Sequence, residues 1–121
     1  MGTIKYVNLS RDVPAGTRIN KTENRQRAPC KGIVTEFIIY FPSGTDNLLG
    51  VFCGVNQLQL APINGEIRMS ETTVRFPVNE PVDRDDYIWA GLINYSSENE
   101  YRAEVYAGID CETCFKETWN C

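Results

Sequence analysis

The chain has 121 residues, 42% of them hydrophobic and 23% charged, with a net charge of −4 and no histidine. Such a length suits one domain that buries enough apolar surface to fold unaided, and the apolar share excludes a disordered chain. Without histidine, Ser-His-Asp and Cys-His nucleophile arrangements are excluded, and the commonest metal ligand is missing.

The opening stretch, MGTIKYVNLSRD, has a lysine but no apolar core of the kind a secretory leader needs, so none is expected. No run of about 18 apolar residues follows, so no transmembrane helix is expected either. Thr3 to Ser10 reads as a first strand. Residues 1–31 carry seven basic side chains against Asp12 and Glu23, a net +5, while the remainder carries −9. A basic arm on an acidic body suits contact between like copies, with Arg18, Lys21, Arg25 and Arg27 as the contact residues. Residues 20–29, NKTENRQRAP, read as a long mobile loop. Nucleic acid is not an expected partner, because no aromatic side chains interleave with these charges beyond Tyr6. No membrane partner is expected.

From residue 32 onward the pattern is alternation. In Ile33 to Phe41 the odd positions Ile33, Thr35, Phe37, Ile39 and Phe41 form one face, with Glu36 on the other. PSGTDN then separates this run from LLGVFCGV, Leu48 to Val55. QLQLA and EIRMS follow, divided by PINGE, whose Asn64-Gly65 pair favours a tight turn with positive φ. TTVRFPV, Thr72 to Val78, is a further strand, and Pro77 places its end near a sheet edge. Tyr87 to Tyr95 is apolar on both faces, as a central strand would be. After the polar link SSENE, Tyr101 to Ile109 alternates cleanly, with Tyr101, Ala103, Val105, Ala107 and Ile109 on one face. Short strands with a turn signal every eight to twelve residues predict an all-β, antiparallel β-sandwich, jelly-roll or Ig-like, of about seven to nine strands. The expected parts are a strand and basic arm over 1–31, a sandwich body over 32–110, and a cysteine-rich tail over 111–121.

The tail, CETCFKETWNC, holds three of the five cysteines. A zinc site without histidine needs four thiolates, and only Cys30, Cys111, Cys114 and Cys121 are available as a quartet; their spacing supplies one knuckle, not two. A redox Cys-x-x-Cys belongs at a helix N-terminus within a βαβ unit, which nothing here supplies. Disulfides among Cys30, Cys111, Cys114 and Cys121 are a third option, formed in an oxidising medium, and reduced cysteines of little structural weight are the fourth. Cys53, within the apolar run GVFCGV, reads as a small core residue left unpaired. Asp85 and Asp86 are adjacent acids in a turn-like stretch and read as solvated surface. No catalytic residue, metal site or cofactor is expected.

The order PAGT, GIVTEFIIYFPSG, LLGVFCGVNQLQLAPINGEI, TTVRFPV and YIWAGLINYSSENEYRAEVYAGI resembles small β-sandwich proteins encoded among the virion genes of tailed bacteriophages and related viruses. The shared features are a strand ending in Phe-Pro-x-Gly, a glycine-containing strand, a Gln-x-x-Pro-x-Asn-Gly segment and a closing hairpin. They cover about residues 13–110 and leave the tail unmatched. The resemblance implies a non-enzymatic virion protein that decorates or cements a capsid, made in the host cytoplasm. Its partners would be copies of itself and a major capsid or other virion protein, reached by the arm and by Phe115 and Trp119. The alternative is a carbohydrate- or receptor-binding sandwich of a spike or fibre, for which Tyr106 on the polar face of its strand is the candidate contact.

Overall fold

A computed structural model describes residues 3–112. Among them it contains eleven strands and no helix: β1 (Thr3–Asn8), β2 (Arg11–Val13), β3 (Arg18–Ile19), β4 (Arg25–Arg27), β5 (Gly32–Phe41), β6 (Leu49–Val55), β7 (Leu58–Ala61), β8 (Ile67–Arg68), β9 (Thr72–Val82), β10 (Tyr87–Asn94) and β11 (Tyr101–Cys111). They form two antiparallel sheets. The first runs β1-β11-β5-β9, with β2 also on β11; the second runs β3-β10-β6-β7, with β4 also on β10 and β8 also on β6.

The eleven strands reduce to eight lanes. β1 and β2 lie along successive parts of β11, β3 and β4 along β10, and β7 and β8 along β6. Each pair is one interrupted strand. Lettered in chain order as A to H, the lanes are A-H-C-F in the first sheet and B-G-D-E in the second. That is the double Greek key of an eight-stranded jelly roll, and not the order of an immunoglobulin sandwich.

The eight lanes fall within the expected seven to nine strands, and the eleven segments arise because three of the lanes are interrupted. Residues 20–29 are not a free loop: Asn24 and Ala28 are buried, and the Asn24 side-chain amide donates to the carbonyls of Leu9 (2.9 Å) and Ala90 (3.1 Å). β7 and β8 both run beside β6, and the segment between them is an excursion closed by Gln59, whose Nε2 donates to the carbonyls of Pro62 and Gly65 at 2.8 Å each. Only Gly65 of the Asn-Gly pair has positive φ, at 78°.

The facing of β5 also differs. A β-bulge at Thr35 shifts its register against β11, so Val34, Phe37, Ile39 and Phe41 share the buried face and Ile33 turns outward. An extra residue on one strand inverts the parity of everything before it. Between the sheets, Phe37, Ile39, Phe41, Leu49, Ile88, Leu92, Val105 and Ile109 are fully buried, and Cys53 sits among them as a free thiol. Burial pushes that thiol's pKa well above its ordinary value.

Cys30 and Cys111 are joined by a disulfide, with Cα atoms 5.8 Å apart. Cys111 is the last residue of β11 and so belongs to the sandwich rather than to a separate tail. A disulfide offers no thiolate, so this pairing removes the four-thiolate zinc option. Cys114, Phe115, Trp119 and Cys121 lie outside the described residues.

Candidate functional site

The outward face of the second sheet carries aromatic residues laid across glycines. In the register of β6 and β10, Trp89 stands opposite Gly54 and Gly91 opposite Phe52. A Cβ on Gly91 would overlap the Phe52 ring, and one on Gly54 would crowd Trp89. The missing side chains are what let both rings pack close against the sheet backbone, and at Gly54 they also admit the Leu58 carbonyl. Phe52 and Trp89 meet edge to face, with centroids 5.8 Å apart, a favourable aromatic geometry. The Trp89 indole N–H donates to the Asn56 carbonyl at 2.8 Å, so the one polar atom of the ring is satisfied.

The basic residues of the arm cover these rings. The Arg18 guanidinium lies 5.4 Å from the Phe52 centroid and the Lys21 ammonium 5.5 Å from that of Trp89. Arg25 and Arg27 lie 4.0 and 4.9 Å from that of Tyr87, and Arg68 is 4.7 Å from that of Tyr95. About two such contacts would be ordinary for a chain of this length, so five on one sheet and its flank are a concentration. Their positions follow from pairing: Arg25 stands opposite Trp89 and Arg27 opposite Tyr87 in the β4–β10 ladder, and Arg18 opposite Ile93 in β3–β10. Hydrogen bonds add further restraint. Arg18 Nε donates to Asn20 Oδ1 at 3.0 Å, and Lys21 Nζ to Gln57 Oε1 at 3.2 Å.

Three adjoining cavities cross this face. The largest, about 500 Å³, is lined by Arg18, Asn20, Lys21, Thr22, Phe52, Gln57, Gln59 and Trp89. One of about 80 Å³ adjoins it through Lys21, Gln57 and Trp89 and extends to Arg25 and Tyr87. Another, about 290 Å³, adjoins it through Arg18, Phe52 and Gln59 and extends to Glu66 and Tyr95. Together they make a shallow groove, basic along most of its length. At its far end the Tyr95 hydroxyl donates to Glu66; this bond, with burial second, raises the phenol's pKa.

The four arm residues singled out in the sequence therefore converge on one face, but against the protein's own aromatics. Tyr106 lies on the other sheet, half-buried, its hydroxyl 3.4 Å from Glu104. Phe52, Gln57, Gln59 and Trp89 were not legible as site residues. The available signal was GVFCGV, where Gly50, Phe52 and Gly54 alternate with buried Val51, Cys53 and Val55. Outward glycines flanking an outward aromatic mark a place where rings can pack close against the sheet. Among the described residues, no three cysteine or acidic side chains converge as metal ligands.

No protein family matches the sequence, and no curated protein matches it. Among solved structures, the chain is similar to one from the structure of infectious bursal disease virus, Gx strain, at 12% identity and a TM-score of 0.45. The alignment covers 91% of this chain and 32% of that one, so this chain spans about a third of the viral protein's length. At that TM-score nothing is carried over to this chain.

Proposed function

We propose that this chain is a non-enzymatic structural component of a virion, a small jelly roll that decorates or cements a capsid through contacts with copies of itself and with the shell protein. The observation that carries the reading is the outer face of the first sheet. There Ile4 (50% exposed), Tyr6 (56%), Ile33 (40%) and Tyr40 (42%) stand in solvent. The register makes them one patch. Ile4 and Ile33 flank Asp110, Tyr6 lies beside Gly108 and Glu36, and Tyr106 and Ile38 stand side by side in the next row, with Tyr40 beyond. Pro77 and Pro81 on β9 border it. Large apolar side chains this exposed on one sheet face, interleaved with Asp110, Glu36 and Glu104, suit a surface that becomes covered by a partner of mixed polarity.

The contact this supports is face to face. Both edges of the first sheet are blunted: β9 carries two prolines, and β1 places Lys5 on its inward side at the rim. Jelly rolls serve as viral capsid and lectin domains, which supports the reading by analogy of fold alone; the resemblance to bacteriophage virion proteins supports it from the sequence. The test is composition and cryo-EM of purified particles, together with sedimentation of the isolated chain. The chain should co-purify with particles and appear as density on the shell, and Tyr6→Asp with Ile33→Asp should abolish attachment without lowering the melting temperature. Absence from particles, or attachment indifferent to that pair, would overturn the proposal.

A second reading, a recognition module of a spike or fibre, is favoured by the basic groove on the opposite sheet.

A further inference from the structure

We infer that the groove on the outer face of the second sheet binds a carboxylated saccharide, with Arg18 and Lys21 engaging the carboxylate and the amide side chains around them engaging hydroxyls. The inference rests on the recognition reading and is independent of what the first sheet touches.

The central cavity has the volume of a small-ligand site. Its polar groups are either cationic or neutral. Two cations face it, and its remaining polar lining consists of amides and a hydroxyl, with no carboxylate. Among the described residues Arg18, Lys21, Arg25 and Arg27 make no ion pair, although the chain as a whole is acidic. Cations held in place by ring faces and neutral amides, and not by acids, keep their charge available to an incoming anion. A single cation–π contact at an exposed site contributes only about 0.5–1 kcal/mol, so these side chains can shift toward a ligand carboxylate without unfolding anything.

The lining also decides between ligand classes. Gln59 uses both amide hydrogens on Pro62 and Gly65, which fixes its orientation and leaves its oxygen as an acceptor for a hydroxyl. The half-exposed Phe52 ring provides one apolar wall for the C–H face of a sugar. Nucleic acid is disfavoured because successive bases stack on a series of open ring faces, whereas in this cavity Trp89 is 3% exposed beneath Lys21 and Phe52 is the one ring left open. An acidic peptide is disfavoured because extended peptides add to a free strand edge, whereas this groove lies on the face of a sheet, across β3/β4, β10, β6 and β7.

The test is NMR titration of the full chain at low salt with sialyllactose, an oligogalacturonate, neutral lactose and an oligoglutamate peptide. A carboxylated saccharide should bind saturably and shift the Trp89 indole and the Gln57 and Gln59 amide signals, with lactose weaker by about tenfold or more. Arg18→Gln with Lys21→Gln should weaken binding by at least about tenfold, while Arg75→Gln on the other sheet leaves it unchanged. Should the double variant melt early, Gln57→Ala serves instead and should weaken binding several-fold with an unchanged melting temperature. Binding of the peptide alone, or equal binding of lactose, would overturn the saccharide assignment and leave a recognition face standing. Binding by none of the four, or binding indifferent to these substitutions, would overturn the recognition reading as well.

Discussion

Replacing Cys30 and Cys111 together by alanine tests how the chain closes on itself. The bond links the residue two before β5 to the end of β11, across a sequence separation of 81. Its surroundings are held without it: Gly32 pairs with Cys111 in the β5–β11 ladder, and the Glu112 N–H donates to the Lys31 carbonyl at 2.9 Å. The folded state therefore loses little contact when the bond goes, and the main effect falls on the unfolded chain, which regains the freedom of a long loop. The chain-entropy relation gives about 4.5 kcal/mol for a loop of this length. Against the 5–15 kcal/mol typical of a domain, that is a large share, equivalent to a fall of roughly 10–20 °C in melting temperature. The assay is urea unfolding of the oxidised protein and of the double variant, with a non-reducing peptide map to establish the linkage. A map that pairs Cys30 elsewhere would refute the reasoning. So would a loss below about 1 kcal/mol with the linkage proven.

Two further outcomes follow from the interior. Asn24→Ala strands the carbonyls of Leu9 and Ala90, which accept from its amide; the cost should be about 1–3 kcal/mol in urea unfolding, and a neutral result would mean that the segment 20–24 does not pin the basic residues. Cys53 should resist thiol reagents until the protein unfolds. Because burial raises its folded pKa above the ordinary 9.0, the folded state keeps a proton that the unfolded state releases. Its contribution is complete well below pH 9.0 and declines as pH rises through it, with a slope that approaches about 1.4 kcal/mol per pH unit by pH 10. Comparing wild type with Cys53→Ala between about pH 8 and 10 isolates that slope, and parallel curves would refute it.

Much of the fold was legible because strands advertise themselves by a period of two. Tyr101 to Ile109 needed no correction, since Ala103, Val105, Ala107 and Ile109 are all fully buried. The alternation in Ile33 to Phe41 was equally clear yet misassigned Ile33, because a bulge leaves no mark on composition and reverses the parity of what precedes it. The groove was half visible: its cations stood out as a charged run, but Tyr87 and Trp89 read only as parts of a strand apolar on both faces. Which cation covers which ring depends on the pairing of β3 and β4 with β10, a contact between segments sixty or more residues apart in sequence.

By itself the sequence determined an all-β antiparallel sandwich, excluded histidine chemistry, and set aside Cys53 as the thiol left over, because these follow from residue types and local spacing. Only the tertiary structure decided that short strands join into eight jelly-roll lanes, that Cys30 meets Cys111, and that the basic arm lies on the aromatic face of the second sheet. Each of those is a pairing between distant segments, set by which surfaces bury together, and local periodicity carries no information about that choice.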